Sequence, residues 1–217
     1  AFLTPDVEVI FSQHAFAVYP IVTQAAGATA VIVPAVIYGH DLNAMLEHIN
    51  DRTRLIFIAN PNNPTGTYLT PATLDAFLAK LPESTLCVLD EAYSEYVAKF
   101  NSQQGSPEHK GMNRDETITW LNKYPNLIIT RTFSKAYGLA GLRIGYSISS
   151  PEIADILNRV RQPFNNNTLA LIAAEAALED VDYLDKTLEN NVLGMKQLTD
   201  GFKSLGLEWI DSAANFV

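Results

Sequence analysis

Residues 130–143 have the sequence TRTFSKAYGLAGLR, which places a single lysine, Lys135, among small and hydroxyl side chains. A β-branched run at 127–132 leads into this segment, and a second strand-like run at 144–148 follows it. A lysine at the end of a strand and followed by glycines can be held still, partly desolvated and close to a ligand. Those conditions suit an amine that acts as a nucleophile rather than as a solvated cation.

Hydroxyl and guanidinium donors accompany this lysine. Thr132, Ser134 and Arg143 are the side chains expected around a phosphate, with the arginine supplying a planar, two-pronged contact. Taken alone, the segment is equally consistent with an ordinary loop in which Lys135 is a surface residue. The choice between the two interpretations depends on motifs elsewhere in the chain.

Composition and charge exclude several classes of protein. The 217 residues allow one large domain, or one domain with part of a second, and 47% of them are apolar. The sequence has no apolar run long enough to span a bilayer and no signal-peptide pattern. A net charge of −9 argues against nonspecific nucleic-acid binding, which needs a basic face. The histidines lack the spacing of metal ligands, and the lone Cys87 is predicted to be a buried core residue, which fits a reducing cytosol.

Strand-like and helical patterns alternate along the chain. Strands are predicted at residues 7–12, 29–33, 54–59, 86–89, 127–132 and 144–148, with two more strand-like runs at 207–210 and 215–217. Helices are predicted at about 16–26, 42–49, 70–81, 117–123, 151–161, 168–179 and 183–205, and a long polar loop at 99–115. This alternation is typical of an α/β protein with a mainly parallel sheet covered on both faces. In such folds, ligands bind at the carboxyl ends of the strands.

Two further motifs close predicted strands. In NPNNPTG, at residues 60–66, two prolines and a glycine fix a turn that aims an asparagine amide, although a simple rigid turn is the alternative. DEAY, at residues 90–93, ends another strand. A nucleotide hydrolase can also end a magnesium-binding strand in Asp-Glu, but it needs a Gly-rich loop closing in Gly-Lys-Ser/Thr, which this sequence lacks. The other alternative for Asp90 is a structural cap on the next helix.

Taken in order, these motifs resemble one enzyme family. An aromatic residue at position 16, NPNNPTG, DEAY, TFSK at 132–135 and GLR at 141–143 are similar to the motifs of the fold-type I pyridoxal-phosphate aminotransferases. Within that family, the chain is most similar to the histidinol-phosphate aminotransferases. The resemblance implies an aspartate-aminotransferase-like three-layer α/β/α sandwich over residues 1–180. It further implies that residues 181–217 form a linking helix and the start of a small C-terminal α/β subdomain.

The resemblance assigns catalytic roles to Lys135, Asp90 and Tyr93 and a cofactor-binding role to Asn63. Lys135 would attach the pyridoxal 5'-phosphate cofactor through its amine and then act as the base that moves the substrate proton. Asp90 would pair with the pyridine nitrogen and keep it protonated, so that the ring can accept electrons. Asn63, rather than Asn60 or Asn62, would donate to the ring hydroxylate. Tyr93 would be its phenolic partner at the same oxygen.

The remaining cofactor contacts implied by the resemblance are one aromatic ring and a phosphate cradle. Phe16 would stack on the cofactor ring, and Thr132, Ser134 and Arg143 would hold the phosphate. Aromatic residues spaced like Phe16 and Tyr19 more often pack in a core than contact a ligand. By comparison with the family's motifs, Tyr19 lies near the site, but the resemblance implies no role for it.

The resemblance implies transamination between L-histidinol phosphate and 2-oxoglutarate by a cytoplasmic homodimer that binds neither nucleic acid nor membrane, with no metal. The alternatives are an aromatic or broad-specificity aminotransferase and a pyridoxal-phosphate decarboxylase on the same fold. A hypothesis from another class is a non-catalytic module, such as the effector domain of a regulator. That module would bind the cofactor without turning over any amino donor.

Several parts of the family pattern have no counterpart in this sequence. They are the Gly-rich phosphate turn, the arginine that holds the substrate's carboxylate or phosphate, an N-terminal arm and a tyrosine lent by the partner subunit. We therefore expect the chain to be a fragment that does not complete a competent site by itself. The segment at 99–123 is longer than its counterpart in close relatives.

Overall fold

The computed structural model describes residues 1–97 and 114–217, and for residues 114 and 115 only the backbone. The long loop predicted at 99–115 therefore falls almost wholly outside the described residues. Its last two positions belong to a helix.

Six strands form a single sheet. They are β1 (Glu8–Ser12), β2 (Thr29–Val33), β3 (Thr53–Ala59), β4 (Leu86–Asp90), β5 (Leu127–Thr132) and β6 (Gly145–Ser149). Their order across the sheet is β2-β1-β3-β4-β5-β6. Strands β1 to β5 run parallel to one another, whereas β6 is antiparallel to β5. The prediction of a mainly parallel sheet is confirmed.

Seven helices cover this sheet within the described residues. They are α1 (Val18–Ala25), α2 (Leu42–Glu47), α3 (Pro71–Leu78), α4 (Arg114–Thr119), α5 (Pro151–Val160), α6 (Thr168–Glu179) and α7 (Val181–Ser204). Short 3-10 helices occupy Trp120–Asn122 and Ala140–Leu142, and residues 94–97 are also helical.

Side-chain caps determine where several of the helices begin. Asp41 accepts a hydrogen bond from the Ala44 N–H, and Thr70 accepts one from the Thr73 N–H ahead of a first-turn proline.

Alternating residues of the strands feed two separate cores. One core joins Ile10, Ile56, Leu89 and Ile129 to Met45 of α2 and Phe77 of α3. The other joins Val9, Leu55, Val88 and Ile128 to Tyr19 of α1 and Ile153 of α5. Because successive strand residues point to opposite faces, the sheet is covered on both sides and the chain has three layers. Cys87 is buried in the first core as predicted, and burial raises the pKa of its thiol to about 12.

The two strand-like runs near the C-terminus are an incorrect prediction. Residues 207–217, all within the described part of the chain, contain no strand. The segment instead follows α7 back to the NPNNPTG turn, where the Ala213 N–H donates to the Gly66 carbonyl at 2.8 Å. An extended apolar segment has the same residue pattern as a strand. Such a segment becomes a strand only when it hydrogen-bonds to a neighbouring strand. Here the neighbour is the NPNNPTG turn instead.

Gly66 permits this close docking. Its φ is +73°, and a Cβ added there would lie 2.9 Å from the Cα of Ser212, well inside van der Waals contact. The C-terminal residues continue past this point to Phe216, whose ring packs edge-on against Tyr93 with centroids 5.2 Å apart. The segment 212–216 is called the docked segment below.

Gly66→Ala is expected to destabilise the protein by about 2–4 kcal/mol, from left-handed backbone strain plus overpacking against the docked segment. Gly206→Ala is the matched control, since Gly206 has a φ of +67° and nothing within 4 Å of its added Cβ. It should cost only the strain of about 1–2 kcal/mol. Chemical denaturation of the whole protein measures both, and equal losses would show that the docked segment moves aside freely.

Candidate active site

A cavity of about 290 Å³ opens at the carboxyl ends of β3, β4 and β5, beside the N-terminus of α1. This edge of a parallel sheet is where ligands bind in open α/β folds. All eight residues predicted for the site line this cavity, namely Phe16, Asn63, Asp90, Tyr93, Thr132, Ser134, Lys135 and Arg143. The structure thus brings together side chains from five separate segments of the sequence.

Asp90 is the last residue of β4, and its carboxylate is held from several sides. Oδ2 accepts a hydrogen bond of 2.7 Å from the Tyr19 hydroxyl, and Oδ1 accepts one of 3.2 Å from the Ala92 N–H. Burial raises the pKa of Asp90 above its ordinary value. The hydrogen bonds from Tyr19, Ala92 and Thr130, and the nearby charge of Lys135, act in the opposite direction.

Lys135 lies in the turn that follows β5, and backbone hydrogen bonds hold this turn in place. The Gly138 N–H donates to the Lys135 carbonyl at 3.0 Å, and the Leu139 N–H donates to the Phe133 carbonyl at 2.9 Å. The Phe133 ring is buried against Tyr137, with centroids 5.1 Å apart. With its backbone held in this way, the exposed Lys135 side chain faces the cavity, where Nζ lies 5.2 Å from the centroid of the Tyr93 ring.

Three asparagines of the NPNNPTG turn divide into two kinds. Asn60 exchanges two hydrogen bonds with the Leu69 backbone, and Asn62 donates to the His14 carbonyl at 2.9 Å. These two side chains hold the turn together. Asn63 alone of the three lines the cavity, and its Nδ2 donates to the Tyr93 hydroxyl at 3.1 Å.

The three predicted phosphate ligands lie together at one end of the cavity. The Ser134 N–H donates to Thr132 Oγ1 at 3.1 Å, and Arg143 Nη1 lies 3.5 Å from Ser134 Oγ. Arg143 also donates to the Ala140 carbonyl at 3.0 Å and adopts a left-handed φ of +53°. The result is a cluster of two hydroxyls and one exposed cation, which suits a dianionic group.

Sequence reasoning placed Tyr19 near the site but gave it no role, and the structure shows that it lines the cavity between Phe16 and Asp90. Burial and the Asp90 carboxylate raise the pKa of Tyr19 far above its ordinary value, so its hydroxyl remains a donor. The available signal was the three-residue spacing from Phe16, which puts both rings on one face of the turn into α1. In the described residues, no group of His, Cys, Asp or Glu side chains could hold a metal ion.

Comparison with known proteins identifies the family. The family model described as aminotransferase class I and II matches residues 1–217. The chain belongs to this family. A histidinol-phosphate aminotransferase 2 from Pseudomonas fluorescens is 57% identical over 217 residues, which make up all of this chain and 55% of that protein. The resemblance inferred from the motifs is thereby confirmed.

Solved structures of aminotransferases share the fold. The histidinol-phosphate aminotransferase of Sinorhizobium meliloti in complex with pyridoxal-5'-phosphate superimposes with a TM-score of 0.86 at 32% identity, covering 99% of this chain and 55% of that one. An aspartate aminotransferase mutant from Thermus thermophilus gives a TM-score of 0.80 at 23% identity, covering 98% of this chain and 58% of the other. The predicted aspartate-aminotransferase-like fold is confirmed.

The chain spans about half the length of the curated relatives that it matches. Among the helices of residues 1–97 and 114–217, none is long and apolar enough to cross a membrane.

Proposed function

We propose that the whole protein is a pyridoxal-phosphate-dependent aminotransferase that exchanges an amino group between L-histidinol phosphate and 2-oxoglutarate, yielding imidazole acetol phosphate and L-glutamate in histidine biosynthesis. The observation that carries the proposal is a single cavity that holds a half-buried carboxylate, Asp90, near an exposed amine, Lys135. The names of relatives more than half identical to the chain support the choice of substrate.

The donor set of the cavity fits the cofactor group by group. A phosphate suits the cluster of Thr132, Ser134 and Arg143, and an aldehyde suits the amine of Lys135. A basic ring nitrogen suits the half-buried carboxylate of Asp90, and a ring hydroxylate suits the donors Asn63 and Tyr93. Each polar group of the cofactor therefore has a chemical partner among the lining residues.

The bound cofactor supplies an electron sink for the bond that breaks at the substrate Cα. Asp90 keeps a proton on the ring nitrogen, because a carboxylate in a poorly solvated site favours a paired positive charge. Lys135 would remove the proton at the substrate Cα and pass it to C4′ of the cofactor, both of which its flexible four-carbon stem would allow it to reach. Phe16, at 38% exposure, presents its ring to the cavity and shields that face from water.

We also propose that the enzyme is a cytoplasmic homodimer, with a large domain at residues 1–180 and the start of a small domain at 181–217. Exposed apolar residues of α6 support the dimer. Leu169 and Ile172 lie on one side of this helix, Leu171 and Leu178 lie on the opposite side, and each is more than half exposed, which is typical of a helix that other surfaces cover.

The whole protein is expected to use L-histidinol phosphate with a kcat/KM about a hundredfold or more above that for L-phenylalanine. The polar groups that bind the phosphate of the substrate, as distinct from that of the cofactor, would be left unpaired by a donor without a phosphate. L-histidinol is the matched control, since it has the same amine and imidazole and lacks only the phosphate. A coupled glutamate assay measures all three donors.

Three other outcomes would point to the alternatives. Comparable rates with L-phenylalanine would favour an aromatic or broad-specificity aminotransferase, and release of carbon dioxide from the donor would favour a decarboxylase. Cofactor binding without turnover on any donor would favour the non-catalytic module.

A further inference from the structure

The Tyr19 hydroxyl donates a hydrogen bond of 2.7 Å to Asp90 Oδ2, and both residues line the cavity. The second carboxylate oxygen of Asp90 accepts from the Ala92 N–H. With a donor on each oxygen and a further hydrogen bond from Thr130, the plane of the carboxylate is fixed. A carboxylate held in this way needs no reorganisation when a ring nitrogen is placed before it.

Tyr19 is itself immobilised by aromatic packing. Its ring stacks on Phe57 of β3, with centroids 4.3 Å apart and planes within 2° of parallel, and it meets Phe16 edge-on at 5.9 Å. The residue is 4% exposed. The hydroxyl is therefore aimed at Asp90 by the sheet beneath it and by the aromatic residue beside it, and the bond is preorganised.

The hydrogen bond from Tyr19 is important because the Asp90 carboxylate lies in a poorly solvated environment. Asp90 is shielded from water, and such shielding favours the neutral acid, which cannot pair with a protonated ring nitrogen. Hydrogen bonds to the charged oxygens favour the carboxylate. Tyr19 supplies one of these hydrogen bonds, to Oδ2 at 2.7 Å, so its loss would leave that poorly solvated oxygen less well satisfied.

We propose that Tyr19 is a positioning residue that holds Asp90 ionised and oriented toward the ring nitrogen of pyridoxal 5'-phosphate. This inference rests on the proposed function, since it acts on the same site. Tyr19 acts through Asp90, not on the substrate. Its ring edge also supports Phe16, so one side chain sets both the carboxylate and the aromatic cover of the cavity.

Tyr19→Phe in the whole protein loaded with pyridoxal 5'-phosphate tests the inference. The change removes one oxygen and keeps the stacked ring. We expect kcat to fall roughly tenfold to a hundredfold, as for loss of a hydrogen bond to a charged group, while KM for the amino donor changes by less than about twofold. The NMR chemical shift of the isotopically labelled ring nitrogen should move toward that of the unprotonated form.

Tyr124→Phe is the matched control. The Tyr124 hydroxyl donates to Asp75 Oδ1 at 2.7 Å, and neither residue lines the cavity. The control therefore removes the same kind of bond at the same length, and it should leave the ring-nitrogen signal and kcat unchanged. Equal effects of the two substitutions would show that Tyr19 has only a structural role.

A double-mutant cycle separates positioning from packing. If Tyr19 acts through Asp90, Tyr19→Phe should change kcat by less than about twofold in an Asp90→Asn background. Full additivity of the two losses would overturn the inference. A wild-type protein that binds no cofactor would overturn the proposed function and this inference together. Normal cofactor binding, with an unaltered nitrogen signal and kcat in Tyr19→Phe, would overturn only the role of Tyr19.

Discussion

Lys135→Ala is expected to abolish transamination by the whole protein, with a loss of at least about ten-thousand-fold in kcat. Within the described residues, Lys135 is the only lysine that lines the cavity, so no neighbouring amine can replace it. Its side chain is exposed, and the turn beneath it is held by backbone hydrogen bonds, so the fold should survive the change. The experiment therefore removes a chemical group and leaves the cavity walls in place.

Two further variants show whether the amine itself is required. Lys135→Arg keeps the positive charge but not a nucleophilic amine, and it should be as inactive as the alanine variant. Lys123→Ala should keep full activity, because Lys123 pairs with Asp75 at 2.8 Å away from the cavity. Borohydride reduction with pyridoxal phosphate, followed by peptide mass mapping, should label Lys135 alone. A label on another lysine, or turnover in Lys135→Ala, would refute the assignment.

Asp90→Asn is expected to slow removal of the substrate Cα proton by about a hundredfold to a thousandfold, while cofactor affinity falls much less. An asparagine has nearly the same shape and can still accept the Tyr19 hydrogen bond, so geometry is kept and only the charge is lost. A neutral amide cannot stabilise a proton on the ring nitrogen. Single-turnover kinetics with a donor deuterated at Cα would isolate this step.

Asp75→Asn provides a control of the same chemistry. Asp75 also accepts a tyrosine hydroxyl at 2.7 Å and pairs with a lysine, but it lies on α3 outside the cavity. This variant should lose some stability and no catalytic rate. A wild-type rate of proton removal in Asp90→Asn would mean that the ring nitrogen has another partner.

The sequence predicted most of the sheet because its strands are apolar runs rich in β-branched residues. Thr29–Val33 and Leu127–Thr132 match their predicted bounds, and the start of α3 follows from a capping threonine before a proline. Eight site residues were predicted because each belongs to a short motif. Their meeting in one cavity follows from parallel strands that end at the same edge.

The parts that were missed depend on contacts between distant segments. Nothing local marks Tyr19 as the partner of Asp90, since a tyrosine in an amphipathic helix fits a core equally well. The strand order and the antiparallel direction of β6 likewise depend on which strands meet in space. Residues 207–217 were assigned to strands because an extended segment cannot be distinguished from a strand without knowing its neighbour.

The docked segment has a consequence for how the protein is made. Its contacts with Gly66 and Tyr93 join parts of the chain that leave the ribosome far apart in time. Contacts between distant segments form late in folding, because a long loop must close first. During synthesis, the turn that carries Asn63 therefore emerges early but stays uncovered until residues 212–216 have followed. The contacts that cover this turn are thus among the last in this chain to form.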